Sequence, residues 1–414
     1  MIHRTIYARL EKLYKKPDIL ALIGARRVGK TTLMNMLYNS EEKRKKLFLS
    51  FDDQKVLSIF EEDIDEFIRI FVQDNEVIFI DEFQYATHGG KKLKYLYDKL
   101  NIKIIISGSS APELTIQSLQ YLVGRVFIEE IQPISFKEFI KYKDESKLTL
   151  LDSISPSSIS LIKPLFEEYI TYGGYPQVIL ETTHEDKKLR LKQIVNTYLL
   201  KEIRDILQYK DSYKFEKLLS ILAMQDGSII NKSKLSSLLE ISHQKLNEMI
   251  EVLEKTYVIT QLRPYTNTKV KELIKSPKIY FKDLGFKNYL LNEFKPLSNR
   301  LDKGVVYENF ILNSLIYLEK KILFYNYKNN SEVDFLVEVE KESYIAIEVK
   351  SYLETPKVER GLYSYIEKYS PLKTLIFNEN IIKKNHVIHN YNFTFDYYSS
   401  IFSMEKYFKK IELN

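Results

Sequence analysis

Residues 19–39 read ILALIGARRVGKTTLMNMLYN. Ile19 to Ile23 form an apolar run that predicts a buried strand. Gly24-Ala25-Arg26-Arg27-Val28-Gly29-Lys30-Thr31 then satisfies G-x-x-x-x-G-K-[ST], and helical spacing follows. Strand, glycine-rich loop and helix, in that order, are the setting in which this pattern binds phosphate. The glycines let the backbone wrap so that its N–H groups face anionic oxygens. The helix N-terminus adds a favourable dipole. The residues from Gly24 to Thr32 are therefore candidates for holding ATP: Gly24, Ala25, Arg26, Arg27, Val28, Gly29, Lys30, Thr31 and Thr32. Lys30 would reach the β- and γ-phosphates, and the Thr31 hydroxyl would ligate Mg²⁺.

Two more buried-type strands support this reading. Val77-Ile78-Phe79-Ile80 ends in Asp81-Glu82. Carboxylates at the C-terminal edge of a parallel sheet sit where ligands bind. Asp81 would hold Mg²⁺, partly through water, and Glu82 would polarise the attacking water. Lys103 to Ile106 is followed by Ser107-Gly108-Ser109-Ser110, a helical segment around Leu114 to Tyr121, Gly124-Arg125, and a strand from Val126 to Ile131.

Composition limits the alternatives. The 414 residues suffice for two to four domains, and 44% hydrophobic content supplies a core. Sixty-two Lys and Arg against 56 Asp and Glu leave +6, which permits a polyanionic partner without demanding one. The chain has no cysteine, which excludes disulfides, thiol catalysis and zinc ribbons. No apolar stretch approaches the ~18 residues of a membrane span. The first residues, MIHRTIYARLEKLYKK, lack a signal-peptide core and predict an amphipathic helix with Ile6, Leu10 and Leu13 on one side. A cytoplasmic protein with no membrane partner is expected.

Further along, Lys232 to Glu240 and His243 to Lys255 predict two helices joined at Ile241-Ser242. Strands are expected at Tyr257 to Leu262 and Lys278 to Phe281. This order looks like a winged helix-turn-helix. Ser242, His243, Gln244, Lys245 and Asn247 would stand where such a helix meets base edges. Lys269, Lys271 and Lys275 add charge for phosphate, while Glu248, Glu251 and Glu254 oppose it. Both DNA contact and protein docking remain open for this module.

The last third raises a second chemical question. A helix starting near Gly304 carries Glu308, and two strand-like runs contain Asp334 and Glu348-Val349-Lys350. Strand alternation puts Glu348 and Lys350 on one face, and an in-register hairpin would bring Asp334 to them. Two carboxylates suit Mg²⁺ or Mn²⁺, with Glu308 as an added ligand or supporting contact. Such a metal would polarise a phosphodiester, with Lys350 stabilising the developing charge.

GARRVGKTTL, VIFIDEFQ, IIISGSSAPEL, LVGRV, QPISFKEF and YGGYPQVI together resemble the archaeal-type AAA+ ATPases that carry a C-terminal nuclease-like domain. The resemblance implies an α/β fold in four parts: a P-loop ATPase core (1–135), a helical lid (136–210), a winged helix (211–283) and a PD-(D/E)xK nuclease-like domain (284–414). It makes Ser109 a γ-phosphate sensor, with Ser107 behind it. It makes Arg125 an arginine finger, which in trans would require a homo-oligomer. Gly173-Gly174-Tyr175-Pro176 would be a structural turn in the lid, and Arg204-Asp205 has no assigned role. In the C-terminal signature Val333 replaces the customary proline. The implied function is ATP hydrolysis coupled to a module acting on DNA. The alternative is an ATP-dependent switch whose C-terminal half docks a protein and cleaves nothing.

Overall fold

The apolar runs of the first third become strands of one parallel sheet because helices cover both of its faces. The structure, a computed structural model, describes residues 2–108, 120–199, 212–266, 268–327, 331–382 and 384–403. Ser109, Arg204, Asp205 and most of the helix expected near Leu114 lie outside the described residues. In chain order come α1 (Tyr7–Tyr14), β1 (Ile19–Ile23), α2 (Lys30–Asn39), β2 (Lys46–Ser50), α3 (Gln54–Glu62), β3 (Val77–Asp81), α4 (Gly89–Lys99), β4 (Lys103–Gly108) and β5 (Val126–Glu130). The five strands pair in parallel in the order β2-β3-β4-β1-β5. Leu20, Leu22, Phe79 and Ile105 face α1 and α2, while Ala21, Ile78, Ile80 and Ile104 face α3 and α4. Burial on both faces explains why these strands read as unbroken apolar runs rather than alternating ones. The order also sets β4 between β1 and β3, which places a β4 side chain between the phosphate loop and Asp81.

The middle is helical: α5 (Phe136–Lys143), α6 (Pro156–Tyr172), a short helix Pro176–Ile179, α7 (His184–Gln193), α8 (Ser212–Met224), α9 (Lys232–Leu239) and α10 (His243–Lys255). Local signals start and stop these helices. Ser135 and Glu138 form a reciprocal capping box, and Pro156 occupies the first turn of α6. Gly173, at φ +79°, ends α6. Glu240 ends α9 in the left-handed region, and Ser242 caps α10, so the expected helix–turn–helix is present as local structure. A hairpin of β6 (Ile259–Pro264) and β7 (Lys278–Phe281) follows, with a short helix Lys269–Ile274 between its strands, and then α11 (Leu284–Leu291).

The remaining elements are α12 (Lys303–Ile316), β8 (Ile322–Tyr327), β9 (Ser331–Glu340), β10 (Ser343–Val349), α13 (Arg360–Tyr369), β11 (Lys373–Asn378), β12 (Lys384–Ile388) and β13 (Tyr391–Tyr397). They belong to an eight-stranded mixed sheet, β12-β13-β11-β10-β9-β8-β6-β7. Helix α12 packs one face through Val306, Phe310 and Leu315, and α13 packs the other through Leu362, Tyr365 and Ile366.

Two sets of contacts cross the boundaries expected from the sequence. The strands assigned to a separate winged helix join the C-terminal sheet, because β6 pairs with β8 in parallel at Arg263 and Pro264. A boundary at residue 283 therefore runs through one continuous sheet. The helices assigned to a nucleotide lid also divide their allegiance. Phe166 of α6 meets Phe310 of α12 edge-on at 4.8 Å and stacks on Tyr307 at 5.8 Å. Such aromatic contacts fix orientation as well as bury area, so α6 is anchored on the C-terminal half.

The join is finished by Asp283. Its buried carboxylate accepts N–H groups of Gly174 at 2.6 Å and Phe286 at 2.8 Å. Burial, against the pull of the N–H groups of Gly174, Phe286 and Gly285, leaves this carboxyl raised to about 6. The Asn288 amide donates to the Ile170 and Thr171 carbonyls, both at 2.9 Å. At Gly285 a side chain would collide with the Tyr172 carbonyl. Gly285→Ala should therefore cost about 3 kcal/mol, read as a lowered midpoint in urea or thermal denaturation. A wild-type midpoint would show that the α6–α11 contact can yield.

Candidate functional site

The phosphate loop spans the end of β1 and the start of α2. Gly24 has φ +146°, and a Cβ there would strike the Ile131 carbonyl; Gly29, at φ +102°, stands just before α2. Neither position suits another residue. Lys30 is buried, and its Nζ donates to the Gly24 and Ala25 carbonyls at 3.0 and 2.9 Å. The lysine thus holds the loop in its wrapped form. Thr31 Oγ1 donates to Asp81 Oδ2 at 2.8 Å, and the Ser107 hydroxyl donates to the other Asp81 oxygen. The Glu82 N–H donates to Ser107 Oγ at 3.2 Å, and the Gln84 side chain donates to the Glu82 carboxylate. One hydrogen-bonded chain therefore links α2, β3 and β4 at the C-terminal edge of the sheet.

The sequence motif does not include the residues that brace this loop. Arg4 donates to the Val28 carbonyl at 2.9 Å and the Gln132 carbonyl at 2.6 Å, and pairs with Glu138 at 3.4 Å. Arg27 donates to Gln177, just past the Gly173–Pro176 turn. A lone arginine near the chain start carries no local signal of this role.

Arg125 is not brought to the phosphate loop of its own chain. It immediately precedes β5, at the opposite edge of the sheet, where its carbonyl accepts the Ile19 N–H. Its guanidinium pairs with Asp98 of α4 at 3.0 Å and is partly exposed.

In the C-terminal sheet the hairpin register is the one expected. Ile347 opposes Phe335, so Glu348 falls opposite Asp334, whose Oδ2 accepts the Val349 N–H at 2.8 Å. Lys350 Nζ lies 2.8 Å from both Glu348 Oε1 and Glu359 Oε1. Burial first, then the charges of Glu348 and Glu308, raise the Asp334 carboxyl well above the usual range; Lys278 and Lys350 draw it back. Burial raises Glu348 as well, against the pull of Lys350. Glu348 Oε2 is buried and has no hydrogen-bond partner.

Glu308, expected as an added ligand or supporting contact, lies close enough for its charge to act on Asp334 and Glu348 and is itself paired. Its Oε1 accepts Lys278 Nζ at 3.0 Å and the Tyr280 hydroxyl. Lys278 also pairs with Glu332. Among the described residues no three carboxylate or imidazole groups are gathered as one metal would hold them. Sequence reasoning took Lys278 and Tyr280 only as strand residues. The one clue was a lysine in an otherwise apolar strand, KIYF, that is buried along its whole length.

Residues 16–140 match the sequence profile of the AAA domain. The N-terminal third is similar to the AAA domain. Residues 163–297 and 303–394 match two domains of unknown function, DUF8612 and DUF4143. Over 377 residues the chain is 28% identical to the uncharacterized protein MJ1544 of Methanocaldococcus jannaschii, covering 89% of this chain and 82% of that relative. An uncharacterized protein of Haemophilus influenzae is 26% identical over 337 residues, covering 77% of this chain and 78% of the relative. Among solved structures, a Walker-type ATPase of Pyrococcus abyssi is 16% identical with a TM-score of 0.47, over 70% of this chain and 96% of that one. No helix among the described residues is long and apolar enough to cross a membrane. The AAA match and the loop geometry support binding and hydrolysis of ATP. Lys30→Ala should abolish binding of a fluorescent ATP analogue. Asp81→Asn should bind it but lose turnover by about 100-fold or more. Full phosphate release by either variant would exclude these residues from the nucleotide site.

Proposed function

We propose that this chain is an ATP-hydrolysing AAA+-like protein whose turnover is coupled to a DNA-binding, nuclease-like C-terminal module. The observation that carries the reading is the opposition of Asp334 and Glu348 across one hairpin, with Lys350 beside them, in a chain that also has a phosphate loop.

At the ATPase site, Lys30 would exchange the Gly24 and Ala25 carbonyls for β- and γ-phosphate oxygens. Thr31 and Asp81, already in contact, have the donor chemistry for Mg²⁺, which neutralises phosphate charge when bound. Glu82, once released by Gln84, would orient the attacking water. Ser107 would keep Asp81 aimed, and Ser109 is proposed as the γ-phosphate sensor. Arg125 would serve as an arginine finger only for a neighbouring subunit, and that role calls for a homo-oligomer.

At the C-terminal site, Asp334 and Glu348 fit a hard divalent cation, since a buried oxygen of Glu348 has no hydrogen-bond partner. Mg²⁺ or Mn²⁺ there would polarise a phosphodiester and lower the pKa of a bound water. Lys350 would stabilise charge on the phosphate, with Glu348 holding its ammonium in place.

The helix–turn–helix supports contact with DNA. His243, Gln244 and Asn247 are exposed near the start of α10, and Lys269, Lys271 and Lys275 are exposed around the short helix between β6 and β7. The acidic residues of α10 are largely occupied within the chain: Glu248 pairs with Lys245, Glu251 with Lys255, and Glu254 accepts from Gln261. Their repulsion of phosphate is correspondingly reduced.

A second reading has its own observation. Val270, Leu273 and Ile274 are 66%, 68% and 77% exposed on that short helix. Apolar side chains presented this way suit a protein surface. This favours the switch that docks a partner without cleaving.

Plasmid nicking with Mg²⁺ or Mn²⁺ should be lost in Asp334→Ala while ATPase activity is kept. Absence of metal-dependent cleavage in the parent would remove the nuclease reading. Replacing Lys269, Lys271 and Lys275 together should flatten the dependence of log K on log salt by about 3. DNA binding without salt dependence, and ATPase activity indifferent to DNA, would favour the docking switch.

A further inference from the structure

The carboxylates of the C-terminal site are treated unequally. Glu348 offers a buried oxygen without a hydrogen-bond partner, whereas the facing Glu308 oxygen accepts both an ammonium and a phenol. The ammonium belongs to Lys278, a residue of the β6–β7 hairpin rather than of the hairpin that carries Asp334 and Glu348.

Charge in this cluster is unbalanced. Among the described residues, the largely buried Glu308, Asp334 and Glu348 and the more exposed Glu332 and Glu359 stand with Lys278 and Lys350, so carboxylates outnumber ammonium groups when all are ionised. Lys278 is 5% exposed, so its ammonium is enclosed by the carboxylates rather than shared with water. The enclosed part of that excess, at Glu308, Asp334 and Glu348, draws in cations. On the Glu308 side the position is filled by the protein's own ammonium. On the Glu348 side Lys350 meets Oε1, and Oε2 is left without a hydrogen-bond partner.

We propose that Lys278 stands as the second cation of the C-terminal site, so that this site takes one divalent metal, at Asp334 and Glu348, instead of the pair that three carboxylates could hold. The proposal rests on the metal-binding reading above. It assigns Lys278 a positioning role. The lysine holds Glu308 and Glu332 through its ammonium, and it makes the metal stoichiometry depend on where β7 sits. Because β7 begins at Lys278 and leads into Asp283, one short strand reaches both the site and the contact with Gly174. Any shift of that strand would move the ammonium relative to Glu308.

The test is Mn²⁺ binding to the nucleotide-free full chain, followed by the electron paramagnetic resonance of free Mn²⁺ and by metal-induced change in melting temperature. The parent should bind one Mn²⁺ that is absent in Asp334→Asn. Lys278→Met should take up a second Mn²⁺ or bind the first about tenfold more tightly, with a larger rise in melting temperature on adding metal. Lys278→Arg should match the parent. Unchanged Mn²⁺ number and affinity in Lys278→Met would overturn the proposal while leaving the metal reading in place. So would a Lys278→Met chain that stays unfolded in Mn²⁺, because the metal would then fail to substitute for the ammonium. If the parent itself binds no Asp334-dependent Mn²⁺, the metal reading falls and this proposal with it.

Discussion

One buried carboxylate, that of Asp283, ties the two halves of the molecule together. It accepts the N–H of Gly174 from the end of the α6 segment and caps the first turn of α11. An ionised group taken out of water is tolerated only where donors surround it, and here backbone N–H groups from both halves supply them. The contact leaves no slack, since Gly173 and Gly285 both stand where a side chain would collide. On one side of this point lie Tyr175 and Pro176, which pack towards the phosphate loop. On the other lies the strand that ends in the C-terminal charge cluster.

That arrangement gives the two polar sites different characters. Around Asp81 each carboxylate oxygen accepts a hydroxyl, and the lysine nearby is satisfied by loop carbonyls. The network is satisfied by short local contacts. Around Asp334 the carboxylates outnumber the ammonium groups, and burial raises Asp334 and Glu348 together. In a low-dielectric setting such a surplus is costly until a cation or a proton arrives.

Much of both sites could be read before folding was considered. The loop from Gly24 to Thr31 is contiguous, so its geometry follows from local rules about glycine and helix termini. The Asp334–Glu348 opposition followed from strand alternation and a short hairpin, and the observed register keeps it. Arg125 was harder, because a residue next to a strand can stand at either edge of the sheet, and its partner Asp98 comes from a different helix. Lys278 was harder still. It is separated from Glu308 by 30 residues, and nothing in KIYF says which carboxylates the lysine will meet.

The sequence by itself determined the chemistry that depends on neighbours along the chain: the phosphate loop, the acidic end of β3, the paired helices α9 and α10, and the Glu348–Lys350 face. These follow from dihedral preference and periodicity, which act over a few residues. Only the tertiary structure decided which elements share a sheet, that β6 would pair with β8, and that α6 would pack on α12. It also decided that a lysine from β7 would stand among the carboxylates of β9, β10 and α12. Those outcomes depend on burying apolar faces and matching buried charges between segments far apart in the chain, and no local pattern encodes them.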